Sequence, residues 1–195
     1  MRSNFDACMA EIFTHEGGYV NHPSDPGGET NMGISRRSYP QDDIKGMTRF
    51  RASQIYRRDF WNPVKGDDLP AGLDLVAFDP AVNSGVSRGA RWLQQALGVT
   101  ADGKIGPQTL AAARAANAEA VIERACALRL AWLRTLPTWK TFGKGWSRRV
   151  ESIRETATEM ARLNGARPVP KPPAPSQSPL AAIFAWLARI FGAKA

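Results

Sequence analysis

His15-Glu16-Gly17-Gly18-Tyr19-Val20-Asn21-His22-Pro23-Ser24-Asp25-Pro26-Gly27-Gly28-Glu29-Thr30-Asn31-Met32-Gly33 is the stretch on which the reading of this chain turns. It divides two kinds of pattern. Before it, Phe5, Cys8, Met9, Ile12 and Phe13 recur at i, i+3, i+4, i+7 and i+8, which predicts an amphipathic helix capped by Ser3 or Asn4 and ended by Gly17-Gly18. Within it, Gly, Pro, Asn and Asp dominate, which predicts a loop or short hairpin from Tyr19 to Ile34. After it, helical spacing returns near 48–60, 73–84, 88–97, 107–116, 118–136 and 145–163. Pro107 sits at a tolerated first helical position, and Leu136-Pro137 stops the fifth of these helices. Val121, Ile122, Ala125, Leu128, Trp132, Leu133 and Leu136 cover a wide arc of that helix, which predicts that it lies at the centre of the core. The expected fold is therefore mainly α, with a small β-hairpin region after the first helix.

Working outward, the 195 residues are 43% apolar and 23% charged, enough for a packed core and too apolar for wholesale disorder. No run of eighteen apolar residues is present, so a standard membrane span is excluded. Cys8 and Cys126 cannot build a disulfide framework and read as core packing. The polar N-terminus does not read as a secretory signal, so synthesis in a reducing cytoplasm is expected. The segment Arg167–Pro179 holds six of the fourteen prolines and reads as a semi-rigid linker over 166–179. Beyond it, Leu180, Ile183, Phe184, Trp186, Leu187, Ile190 and Phe191 share one arc of a helix over 180–195. That helix is too short to span a bilayer. Phe184, Trp186 and Phe191, with Arg189, suit an anionic membrane or outer-envelope surface. The net charge is +8 and four of those charges fall after residue 165. The basic residues are spread out and no recognition motif accompanies them, so nucleic acid is not an expected partner.

The chemistry sits in the opening stretch. Glu16 falls at the C-terminal end of the first helix, whose partial negative charge favours a protonated carboxyl over a carboxylate. A protonated carboxyl is what a general acid needs to protonate a glycosidic oxygen. Asp25 and Thr30 follow on the loop, where a second carboxylate facing the first could activate water. The same residues also fit a solvated helix end and an Asx turn before Pro26. His15 and His22, with Asp25 or Glu29, have the wrong spacing for a helical metal-ligand pair, so no metal or cofactor is expected. Asp79 and Asn83, at i and i+4, could both face a sugar cleft or could cap, with Pro80 expected to kink or begin their helix. Tyr19 and Trp61 are the aromatics expected nearest that cleft.

The pattern Glu16-Gly-Gly-Tyr19 followed by Asn21-His-Pro-Ser-Asp-Pro-Gly-Gly-Glu-Thr-Asn-Met-Gly-Ile34 resembles the N-terminal signature of glycoside hydrolase family 108. Ile55–Pro63 and Phe78–Gly85 resemble later segments of it. Leu93–Val99 with Asp102–Pro107 resembles the peptidoglycan-binding half that accompanies the family. The resemblance covers about residues 5–165. It implies a lysozyme-like fold with a catalytic half over 1–72 and a peptidoglycan-binding-like half over 73–165. It also implies a monomeric N-acetylmuramidase needing no cofactor, of the phage or prophage endolysin type and acting on peptidoglycan in the periplasm or cell wall. Glu16 takes the position of the family's catalytic glutamate. The order Glu, Asp, Thr is also similar to phage-type lysozymes, which assigns Asp25 and Thr30 supporting roles, although Thr30 is one residue short of that spacing. A lytic transglycosylase on the same fold, or a non-catalytic wall-binding or membrane-active module, are the alternatives.

Overall fold

The computed structural model describes residues 4–21 and 28–165. Among them are seven α-helices and one two-stranded sheet, the mainly α fold expected. Helix α1 spans Phe5–His15 and buries Phe5, Cys8, Met9 and Ile12 on the face set by their spacing. Asn4 does not cap it by a side-chain bond. Its amide Nδ2 instead donates to Asp74 Oδ2 at 2.9 Å, tying the helix start to a later helix. Strands β1 (Thr30–Asn31) and β2 (Ile34–Ser35) form an antiparallel hairpin, with Asn31 opposite Ile34. Its two connecting residues, Met32 and Gly33, both have positive φ, the requirement of a type I′ turn. Val20 bridges Thr30 on the open edge.

Helix α2 (Arg49–Tyr56) starts on Thr48, whose Oγ1 accepts from Arg51 N at 3.1 Å. It continues as one π-helical turn over Arg57–Trp61, then a 3₁₀ turn follows at Gly66–Asp68. Helices α3 (Leu73–Ser84), α4 (Val86–Leu97), α5 (Pro107–Ala115) and α6 (Ala118–Arg134) lie close to the predicted ranges. The seventh, α7 (Trp139–Gly165), begins six residues before its predicted start, because Trp139 and Trp146 pack on the core and hold Gly143 and Gly145 helical.

The centre of the core is α3 and not α6. Nine consecutive residues of α3, Leu73 to Ala81, are buried, and α1, α4, α6 and α7 surround it. On α6, Leu128 is exposed and only one face is covered. A helix buried all round shows no amphipathic stripe, so periodicity points away from it and towards its neighbours. Pro80 lies inside α3 without interrupting it, although it cannot donate to the Val76 carbonyl. Gly89 allows the closest approach to α4, since a Cβ there would stand 2.6 Å from the Ala77 carbonyl oxygen.

The Asp102-Gly103 turn between α4 and α5 is held from beneath by buried Gln94. Its Nε2 donates to Asp102 Oδ1 (2.8 Å), Lys104 O and Thr109 Oγ1, and its Oε1 accepts from Gly103 N at 2.8 Å. Residues up to Gly165 form one compact unit. The Pro-rich segment and the helix expected over 180–195, with Phe184, Trp186, Arg189 and Phe191, lie outside the described residues.

Candidate active site

Glu16 is the residue that closes α1, with extended backbone (φ −94°, ψ 135°) that turns the chain out of the helix. The hairpin is fastened to this exit, since Met32 N donates to Gly17 O at 3.1 Å. The Glu16 carboxyl therefore lies against the turn of the hairpin. Gly33 makes this possible: a Cβ at Gly33 would stand 2.6 Å from Glu16 Oε2 and 2.3 Å from the Tyr56 hydroxyl. Tyr56, at the end of α2, donates that hydroxyl to Met32 O at 2.9 Å. Its own ionisation is pushed up by burial and by the nearby Glu16 charge, so it remains a neutral donor.

On the other side Glu16 meets α7. Arg149 Nη2 lies 3.0 Å from Glu16 Oε1. The Glu16 side chain is 16% exposed, which leaves the carboxyl reachable from solvent. Arg149 is held in turn by Asp79 of α3, whose Oδ1 receives its Nε at 2.9 Å and its Nη2 at 2.8 Å. Arg129 of α6 grips Oδ2 of the same carboxylate. Burial pushes the Asp79 carboxyl up, and Arg129 with Arg149 outweigh it, so Asp79 stays below the usual carboxylate range. The result is a line of alternating charge, Glu16–Arg149–Asp79–Arg129, running from the surface into the core.

Two expected cleft residues are placed elsewhere. Trp61 is fully buried, with its ring edge-on to Phe5 (5.3 Å) and Phe78 (5.2 Å) and Nε1 donating to Asp67 Oδ1 at 2.9 Å. The π-helical turn rotates Trp61 inward, so it is core and presents no face to a sugar. Asp79 is also fully buried and reaches the site only through Arg149. Asn83, one turn on, is exposed and accepts from Ser84 Oγ at 3.1 Å, so the i, i+4 pair does not face one cleft.

Tyr19 is 41% exposed and donates its hydroxyl to Glu29 Oε2 at 2.9 Å. Glu29 also receives Arg36 Nε at 2.9 Å, which holds its carboxyl below the usual range. A carboxylate so committed is a poor proton donor. Thr30 stands partly exposed on β1, its amide and carbonyl both paired with Val20 at 2.8 Å. Asp25 and His22 lie outside the described residues. His15 pairs with Glu11 at 3.1 Å on its own helix, and no group of three metal-ligating side chains occurs among the described residues. Arg149 carries no sequence signal of its role, because its partner is 133 residues away.

A family model described as glycosyl hydrolase 108 matches residues 9–85, and one described as a predicted peptidoglycan domain matches residues 88–151. A solved structure titled "Structure of Brucella abortus SagA" is 45% identical and superposes with a TM-score of 0.74. The match covers 82% of this chain and 96% of that one. The chain belongs to the glycosyl hydrolase 108 family. No match is found among curated proteins. The membership and the accompanying domain make it a glycoside hydrolase of peptidoglycan. Glu16, the hairpin, Tyr56 and Asp79 fall within the glycosyl hydrolase 108 segment, whereas Arg149 and Arg129 fall within the peptidoglycan segment. The Glu16–Arg149 pair thus joins the two matched segments in one site.

Proposed function

We propose that the chain is an N-acetylmuramidase that hydrolyses the β-1,4 bond between MurNAc and GlcNAc, with Glu16 as general acid. The observation that carries this reading is the Glu16 carboxyl itself, partly exposed at the junction of α1, the hairpin turn and α7. Glu16 gives its proton to the bridging oxygen as the bond from MurNAc C1 to that oxygen breaks. Arg149, already beside Oε1, stabilises the carboxylate left behind. Water adds at C1, with Asp25 taking its proton and Thr30 positioning it. Tyr19 and Asn83, both exposed, line the approach to the sugar. The reaction uses no cofactor.

A lytic transglycosylase is the second reading. It uses one acid/base carboxyl, and among the described residues the other nearby carboxylates are committed, Glu29 to Arg36 and Tyr19 and Asp79 to two arginines. Mass spectrometry of digested peptidoglycan separates the two. Reducing MurNAc ends are expected. Anhydro ends, with an Asp25→Asn variant as active as the parent, would establish the transglycosylase.

The biological setting proposed is that of a phage or prophage endolysin, monomeric, made in the cytoplasm and acting in the periplasm or cell wall. The basic, aromatic segment with Phe184, Trp186, Arg189 and Phe191 would bring it to an anionic membrane.

A further inference from the structure

Helix α7 does more than supply Arg149. Its Thr156 and Ser152 reach Glu11 of α1 at 3.2 and 2.6 Å, and Arg149 reaches Glu16 at 3.0 Å. The two helices therefore run antiparallel, and α1 stops at the catalytic carboxyl while α7 continues past it. The next positions on the same stripe of α7 are Gly145 and Phe142. At 100° per residue Phe142 lies within about 20° of Arg149 and Gly145 within about 40°, some 10 Å and 6 Å further along the axis. A Cβ on Gly145 would meet nothing within 4 Å, so the strip is open there. Phe142 is 53% exposed, and its ring lies 5.8 Å from that of Trp146, inclined by 34°. Trp146 in turn leans on Trp139 at 6.2 Å. Exposed Arg148 follows on the adjoining flank, about 60° from Gly145.

An aromatic face that continues an active-site wall, with a glycine leaving the floor clear and the Arg148 cation beside it, suits a sugar polymer bearing carboxylates. We infer that the Arg149–Gly145–Phe142 strip of α7 is an outlying subsite for the glycan strand of peptidoglycan. Phe142, backed by Trp146, stacks on a pyranose face, and Arg148 meets lactyl or peptide carboxylates. The continuity of the strip with Arg149 and the complementary charge identify this occupant. The inference rests on the reading of Glu16 as the active-site acid.

The test is sedimentation of the full chain with purified peptidoglycan sacculi, in a Glu16→Gln background to prevent digestion. Phe142→Ala should weaken retention by about 3- to 10-fold, and Phe142→Trp should preserve it. Gly145→Leu, which removes nothing and fills the strip, should weaken it similarly. Melting temperatures should stay at the parent value. Parental retention by both Phe142→Ala and Gly145→Leu would overturn the inference. So would a loss confined to vesicles of anionic phospholipid, which would make the strip a membrane contact, or a loss seen only with a lowered melting temperature. Retention does not depend on which bond is cut, so failure of the muramidase reading would appear separately, in the products of the wild type.

Discussion

Asp74 shows what burial does to a single carboxyl in this fold. It lies in the first turn of α3, nearly inaccessible, and burial raises it from 3.8 to about 6 even though Asn4 and the Gly72 and Leu75 amides bond to it. A raised folded-state value means that the native chain holds this proton more tightly than the unfolded one. The contribution is present in full below pH 3.8 and is lost as pH rises through about 6. The total is roughly 3 kcal/mol, at 1.36 kcal/mol per unit. Asp74→Asn removes the titration. Urea unfolding at pH 4 and pH 7.5 should show the variant gaining on the wild type by up to that amount at the higher pH. Other carboxylates, such as Asp79, titrate the opposite way and cancel in the difference. At this scale the place of Glu16 at the end of α1 was legible, because the helical spacing stops there and Gly-Gly follows. Arg149 was not, because only tertiary packing brings α7 to α1. Trp61 was misplaced because a π-helical turn, invisible in residue spacing, rotates it into the core.

Among the elements, α3 holds the central place that periodicity gave to α6. The apolar arc of α6 marks a helix packed on one side. The uniform burial of α3 leaves no stripe to detect, and Pro80, expected to kink or begin the helix, lies inside it. The hairpin was legible as a region, Tyr19 to Ile34, and its strands were not, since its type I′ turn is made by Met32-Gly33 rather than by Asn-Gly. Because α3 is central, Asp79 can serve α6 and α7 together. Asp79→Asn leaves Arg129 buried without a carboxylate, and removing one partner of a buried pair costs about 3–5 kcal/mol. Equilibrium denaturation should show a loss in that range. A variant as stable as the wild type would mean that the arginines find other partners.

At the scale of the whole molecule, one compact unit ending at Gly165 holds Glu16, Tyr56, Asp79 and Arg149. A chain cut after Gly165 is therefore expected to melt as the full chain does and to digest isolated peptidoglycan at a comparable rate. It should lose binding to anionic vesicles, as a cosedimentation assay would register. The role of Glu16 as proton donor underlies the proposed hydrolysis. It is tested most directly by digesting purified peptidoglycan with the wild type and with Glu16→Gln and comparing the products by mass spectrometry. Reducing MurNAc ends are expected from the wild type and none above background from the variant, with both proteins equally folded. Equal product from the two proteins would contradict it.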